Sequence, residues 1–303
     1  MERLLHCRRL QSRSEPVRVW EHFQFSMFSL LVLMCFGDKF HNKIREIQDV
    51  VERLLSKFSR VGMESQDDKF GSSYIDKLLD LHLPDDENRK LDDDELVGLC
   101  SEFLNGGTHA STSTLQWVMT NLVKHQHVQE KLFMEIKRVL KDGAELVNED
   151  DLQKIPYLKA VILEGLRKHP LGPFLMPYST AEDVDFNGCK LPRNVTVYSV
   201  SGDMGMDPKV WEDPSIFRPE RFGISHGNGE VVDNDITGKR EIKIMPFGAG
   251  RRSCSGHDLA MLHLEYFVGN LVWCFEWKEM DGEAIDMEPN YNHAHTFFFF
   301  LER

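Results

Sequence analysis

No Cys-x-x-Cys pair occurs in this sequence, and its six cysteines (Cys7, Cys35, Cys100, Cys189, Cys254 and Cys274) are widely scattered. His and Cys never adopt the spacing of a zinc finger or ribbon, which removes a structural zinc module from consideration. A chain of 303 residues, 41% of them hydrophobic, needs no disulfide framework and is not broadly disordered. A reducing compartment fits it best. Positive charge is also scarce: 36 Lys and Arg stand against 49 Asp and Glu, a formal net charge of −13. That balance excludes sequence-independent nucleic-acid binding. Long apolar runs are missing too. The longest, Phe23 to Phe36, covers fourteen residues, fewer than the roughly 20 that span a bilayer, and predicts a buried core helix. The basic, polar residues 1–22 before it mimic a signal peptide, but no small-x-small cleavage site follows. Internal repeats and low-complexity tracts are absent.

What the sequence does have is Phe247-Gly248-Ala249-Gly250-Arg251-Arg252-Ser253-Cys254-Ser255-Gly256, in the pattern F-x-x-G-x-R-x-C-x-G. Gly248, Gly250 and Gly256 lack a Cβ and tolerate positive φ, so the backbone can pass close to a flat ligand. Cys254 stands where a helix should begin, and free N–H groups at a positive helix end favour a thiolate. A thiolate in such a loop is a soft axial donor to a metal, haem iron first among them. The competing reading is a buried structural cysteine in a Gly-rich turn.

These ten residues resemble the cysteine-ligand signature of the cytochrome P450 haem-thiolate monooxygenases. The following HDLAMLHLEYFVGNLVWCFEW is similar to the plant A-type microsomal branch, most closely its 89A subfamily. The resemblance implies a mainly α fold with small β-sheets in an incomplete version, as a single partial domain over 1–303. It implies haem (heme, iron protoporphyrin IX) as cofactor, with Cys254 the iron ligand, Arg252 on a propionate, and Phe247, Gly250 and Gly256 framing the group. Ser255 replaces the family's usual proline, which changes the stiffness of the loop and not the ligand. The Phe23–Phe36 stretch resembles an internal core helix of the family, well past its N-terminal membrane anchor, so no anchor is expected within this chain. Against the family, the start and most of the helices that roof the substrate pocket are missing.

Residues 41–60 carry a helical pattern (Ile44, Ile47, Val51, Leu54, Leu55), and the Gly/Ser/Asp-rich 62–72 reads as a loop at the shortened region. The acidic run Asp85 to Glu95 reads as a solvated loop and helix start, with Asp92 and Glu95 as capping partners. Leu96, Leu99, Cys100 and Phe103, continued by Leu115, Val118 and Leu122, give the following helix one apolar face. Gly106 and Gly107 interrupt it at a cost of about 1 kcal/mol each relative to alanine. The resemblance gives the reason, a small-residue notch over the iron in which Gly107 borders the oxygen site. The family's acid–threonine pair is replaced by His109 and Ala110. Imidazole is a proton carrier and His109 is the nearby candidate; the other reading is an impaired site. Ser111 has a hydroxyl, but one helical step turns it about 100° away.

Pro156 suits a first helical position, and the helix through Leu158, Val161, Ile162 and Leu166 should end before Pro170. Glu164 and Arg167 form an E-x-x-R pair on one face. Alone, such a pair means a surface ion pair worth well under about 1 kcal/mol. With Phe217-Arg218-Pro219-Glu220-Arg221-Phe222, resembling the family's P-E-R-F stretch, it implies a buried structural cluster of Glu164, Arg167 and Arg221. Leu171 to Met176 resembles a pocket-lining segment and otherwise reads as core. Asn187-Gly188 marks a hairpin between Val184–Phe186 and Cys189–Leu191. Val195, Val197 and Ser199 alternate as a strand, 223–240 reads as a surface loop, and Thr296 to Phe300 as a terminal strand.

The function so implied is oxidoreductase chemistry. A monooxygenase inserts one oxygen atom from O2 into a small apolar substrate, with electrons from NADPH through a flavoprotein reductase. Lys239, Arg240, Lys243 and Arg251 are either a dock for that acidic partner or simple solvated charges. The family implies the cytoplasmic face of the endoplasmic reticulum membrane. The alternative is a non-catalytic haem-binding remnant, favoured by the missing segments and by His109-Ala110.

Overall fold

The computed structural model describes residues 17–37, 44, 72–84, 86, 88–141, 143–172, 174–222, 242–279, 287 and 298–302. The helical pattern over 41–60, apart from Ile44, the loop over 62–72, apart from its last residue, the loop at 223–240, Lys239 and Arg240 lie outside these residues. Helices dominate, with small antiparallel sheets beside them. The described residues form two compact units. One is built from Trp20–Thr112, and the other from residues 17–19 with 113 onward.

In the first unit, helix α1 (Val19–Phe36) starts four residues before the apolar run. Phe23, Met27, Phe28, Leu31, Val32, Cys35 and Phe36 are buried, a stripe at helical spacing that faces the chain's own core. By length and composition alone α1 could also cross a membrane. Helix α2 (Tyr74–Leu79) begins in a capping box between Ser73 and Asp76. Strands β2 (His82–Leu83) and β3 (Arg89–Lys90) pair ahead of α3 (Asp93–Lys124). Asp92 and Glu95 cap that helix reciprocally: Glu95 N–H donates to Asp92 Oδ1 and Asp92 N–H to Glu95 Oε2, both at 2.9 Å.

The second unit holds the later half of α3 and then α4 (Gln126–Val139), α5 (Glu149–Leu152), α6 (Pro156–Lys168) and α7 (His257–Cys274). Pro156 is the first residue of α6, where its missing N–H is harmless. From Leu158 to Arg167 only Lys159 escapes burial, so α6 is enclosed on nearly every side. Backbone separations make this possible. A Cβ on Gly165 would come 2.5 Å from Val118 Cγ2, and one on Gly269 of α7 would come 3.3 Å from Leu158 Cδ2.

Strands β4 (Tyr178–Ser179) and β7 (Thr196–Val197) pair, as do β5 (Val184–Phe186) and β6 (Cys189–Leu191). Asn187 and Gly188 between the latter have φ of 52° and 83°, the left-handed pair that a two-residue hairpin requires. A three-stranded sheet is ordered β1 (Val17–Arg18), β9 (Phe298–Glu302), β8 (Glu276–Glu279). Side-chain amides tie it to the helices. Gln129 of α4 accepts from Trp277 N–H at 2.8 Å and donates to Trp277 C=O at 3.0 Å. Asn270 of α7 likewise accepts from Val147 N–H at 2.9 Å and donates to Val147 C=O at 3.1 Å.

Two buried imidazoles complete this core. His169 stacks on Trp117 with centroids 4.1 Å apart, and its Nε2 has no protein partner. Burial pushes His169 down to about 3 and His263 down to about 4. Both folded values lie below the unfolded one of roughly 6.5, so the unfolded chain takes up protons first as pH falls. Stability is therefore complete near pH 7 and is lost below about 6.5, at about 2 kcal/mol for His169 by pH 5. A His169→Phe variant, which keeps the stack, should lose that share of the acid-side slope in urea midpoints between pH 7 and 5. Comparison with the parent cancels Glu135 and Glu265, which burial pushes up. An unchanged slope would refute the assignment.

Candidate haem-thiolate site

The segment before α7 is a tight turn. Gly248 and Gly250 have φ of 69° and 71°, which only glycine adopts without strain. Gly248 N–H donates to Met245 C=O at 3.3 Å, Ser253 N–H to Gly250 C=O at 3.1 Å, and Cys254 N–H to Phe247 C=O at 2.8 Å. The last bond closes the loop and leaves the Cys254 thiol free and exposed. Gly256 departs from expectation. Its φ is −95°, ordinary for any residue, and it serves as the N-cap of α7. The helix thus starts at His257, three residues beyond Cys254, and His257 Nδ1 lies 3.2 Å from Cys254 C=O. Cβ atoms added at Gly250 and Gly256 would meet nothing within 4 Å. Phe247 is half-buried, its ring 6.1 Å from His257, and Arg252 is exposed. The cysteine is therefore not buried in its turn.

Glu164, Arg167 and Arg221 meet in the interior. Arg167 grips Glu164 through two parallel bonds, Nε to Oε2 at 2.7 Å and Nη2 to Oε1 at 2.8 Å. Arg221 Nε reaches the same Oε1 at 3.3 Å. Sequence reasoning missed the fourth donor, the backbone N–H of Arg218 at 2.8 Å from Oε1. Both guanidinium groups spend their remaining N–H groups on loop carbonyls. Arg167 donates to Gly205 and Pro214, Arg221 to Glu212, Asp213 and Ile216, and Trp211 lies against Arg167. A Cβ on Gly205 would run into Arg167 C=O, so the loop has no room for a side chain there. A neighbouring cluster was also missed, although Glu220 lies inside the P-E-R-F stretch. Its carboxylate accepts from Tyr157 Oη at 2.9 Å and Lys131 Nζ at 2.5 Å.

In the other unit, Gly107 packs against α1: an added Cβ would come 2.7 Å from Leu31 Cδ1. Gly106 is the open one, with nothing within 4 Å. His109 is exposed, its ring 6.4 Å from that of Trp20. Thr108 and Thr112 donate their hydroxyls to the helix's own carbonyls, Leu104 at 2.6 Å and Thr108 at 2.7 Å. Neither therefore stands in for the hydroxyl that Ala110 lacks, and Ser111 is buried.

Comparison with known proteins bears on what the cysteine turn is for. The cytochrome P450 family profile matches residues 14–296. The chain belongs to the cytochrome P450 family. It is 42% identical to cytochrome P450 89A9 of Arabidopsis thaliana over 88% of its own length and 61% of that protein's. It is 34% identical to Arabidopsis cytochrome P450 81F1, over 86% of this chain and 49% of the other. The chain thus spans half to three-fifths of these curated relatives. A solved zebra fish cytochrome P450, described with abiraterone, superposes with a TM-score of 0.78. It is 19% identical and covers 98% of this chain and 74% of that one. The mainly α fold with small sheets is thereby the P450 fold.

The donor set fits haem. Among the described residues no three His, Cys, Asp or Glu side chains gather as a bare metal would require. An exposed thiol suits a metal that brings its other ligands with it, as a porphyrin does. The interior cluster yields a direct test of what holds it together. Glu164→Gln leaves two buried guanidinium groups without their carboxylate and should cost about 3–5 kcal/mol in urea unfolding. Arg218→Ala, which keeps the backbone N–H and removes only an exposed ion pair with Glu212, should cost less than about 0.5 kcal/mol. Equal losses would show the carboxylate is not the centre of the cluster.

Proposed function

We propose that this P450 chain, as a single partial domain, is a haem-thiolate monooxygenase with Cys254 as the protein ligand to iron. The observation that carries this reading is the exposed Cys254 thiol, free at the end of a turn closed through its own N–H. Bound there, haem would supply the family's oxygen chemistry, with one atom of O2 entering an organic substrate. The protein's part is to hold and to exclude. Gly250 and Gly256 leave the approach to the thiol free of side chains, Phe247 borders it, and Arg252 would donate to a propionate. Electrons would come from NADPH through a flavoprotein reductase, with exposed Lys243 and Arg251 favouring an acidic partner surface. Leu171, Phe174 and Met176 are 49, 56 and 78% exposed rather than core, which favours a small apolar substrate. The cytoplasmic face of the endoplasmic reticulum membrane is the matching location.

By their place in the sequence, Gly107 and His109 match the family's notch and acid, with the His109 imidazole as proton carrier. The absent hydroxyl at Ala110 favours a second reading, an impaired haem protein that consumes NADPH with little product. Two experiments separate these. Chain reconstituted with haem, reduced and exposed to carbon monoxide should give the red-shifted thiolate-type Soret band, lost in Cys254→Ala. An unaltered spectrum in that variant would end the assignment. The double variant His109→Asp, Ala110→Thr, assayed with reductase, should raise product formed per NADPH consumed several-fold. No change would remove His109 and Ala110 from the account of coupling.

A further inference from the structure

Two cysteines far from the proposed iron ligand in sequence meet inside the Trp20–Thr112 unit. Cys35 lies in the last turn of α1 and is 0% exposed; Cys100 lies in the second turn of α3 and is 4% exposed. Their side chains are near enough for each to act on the other's ionisation. The contact belongs to a line along which α1 and α3 touch, for Leu31, one turn before Cys35, fills the space at Gly107, two turns beyond Cys100. Gly107 therefore brings the helices close enough for a short side chain on each to reach the other.

We propose that Cys35 and Cys100 are a reversible dithiol–disulfide couple, oxidised by hydrogen peroxide, that closes a covalent clamp between α1 and α3. The chemistry is asymmetric within the pair. The neighbouring Cys100 and burial push the Cys35 thiol up, whereas Cys35 lowers Cys100 against the opposing effect of burial. Cys100, 4% exposed where Cys35 is 0%, is also the sulfur that peroxide reaches first, and it attacks. Its thiolate displaces hydroxide from one peroxide oxygen, and the hydroxide takes up the released proton as water. The resulting sulfenic acid is attacked by Cys35 sulfur, forming the S–S bond while the sulfenic oxygen and the Cys35 proton leave as a second water. Two thiols and one peroxide give one disulfide and two waters. The two electrons lost by sulfur reduce the peroxide. Tyr74, stacked on Phe103 at 4.8 Å, and Glu102 are the neighbouring titratable groups. Neither offers a cation that would hold the thiolate permanently.

The inference does not depend on Cys254 or on haem, so it can fail alone. The full chain would be treated with a small molar excess of hydrogen peroxide, alkylated in denaturant and mapped by mass spectrometry. The expected product is a linked peptide pair containing Cys35 and Cys100, two hydrogens lighter than the reduced peptides and released by dithiothreitol. The oxidised chain should unfold at a temperature higher by on the order of 10 °C, since the bridge closes a long loop. Cys35→Ser and Cys100→Ser should each abolish both effects. If either variant fails to fold, the linked peptide in the parent chain still decides. Recovery of both cysteines as alkylated thiols, as sulfinic acids, or linked to other cysteines would overturn the proposal.

Discussion

The carboxylate of Glu164 is the point on which the second unit depends. It accepts four hydrogen bonds, three of them at Oε1, from two arginines and one backbone N–H. Two guanidinium groups against one carboxylate leave an unbalanced buried positive charge, which would be costly in an apolar core. The carbonyl oxygens of Gly205, Glu212, Asp213, Pro214 and Ile216 offset it by turning their negative ends inward. The loop between β7 and the Pro219–Phe222 turn is thereby folded around charge rather than around apolar surface.

The helix that carries this carboxylate also touches the helix that follows the cysteine turn. Helix α6 carries Glu164 and Arg167, and packs against α7, with Gly269 of α7 lying against Leu158. Helix α7 in turn continues directly from the turn that ends in Cys254 and Gly256. The two motifs that stand about ninety residues apart in sequence, Glu164-x-x-Arg167 and the cysteine turn, thus belong to helices that touch.

Features written in a few adjacent residues are legible in the sequence itself. The Asn187-Gly188 hairpin, the Asp92 and Glu95 cap and the Pro156 helix start each rest on local sterics or on hydrogen bonds within one turn. Features that join distant segments are not. Nothing near Gln129 announces that its amide will pair with Trp277, 148 residues away, and Asn270 gives no hint of Val147. The E-x-x-R pair becomes informative only when joined to Arg221. Even then the backbone N–H of Arg218 stays hidden, because every residue except proline carries one. Gly107 shows what spacing leaves out: Leu31 fills the direction in which its Cβ would point. Gly256 likewise needs no special φ. Composition marks these glycines as special, and only packing says why each is there.

Gly205 has a consequence for how this chain can vary. One extra carbon at that position would collide with the Arg167 carbonyl and lift the loop from α6. The lifted loop would withdraw its own carbonyl from the arginine fork. Even alanine, the smallest possible replacement, therefore attacks the charge cluster from the outside, without touching any charged group. Position 205 tolerates a single letter of the amino-acid alphabet, and drift there would loosen the Glu164 cluster while every charged residue in it stayed the same.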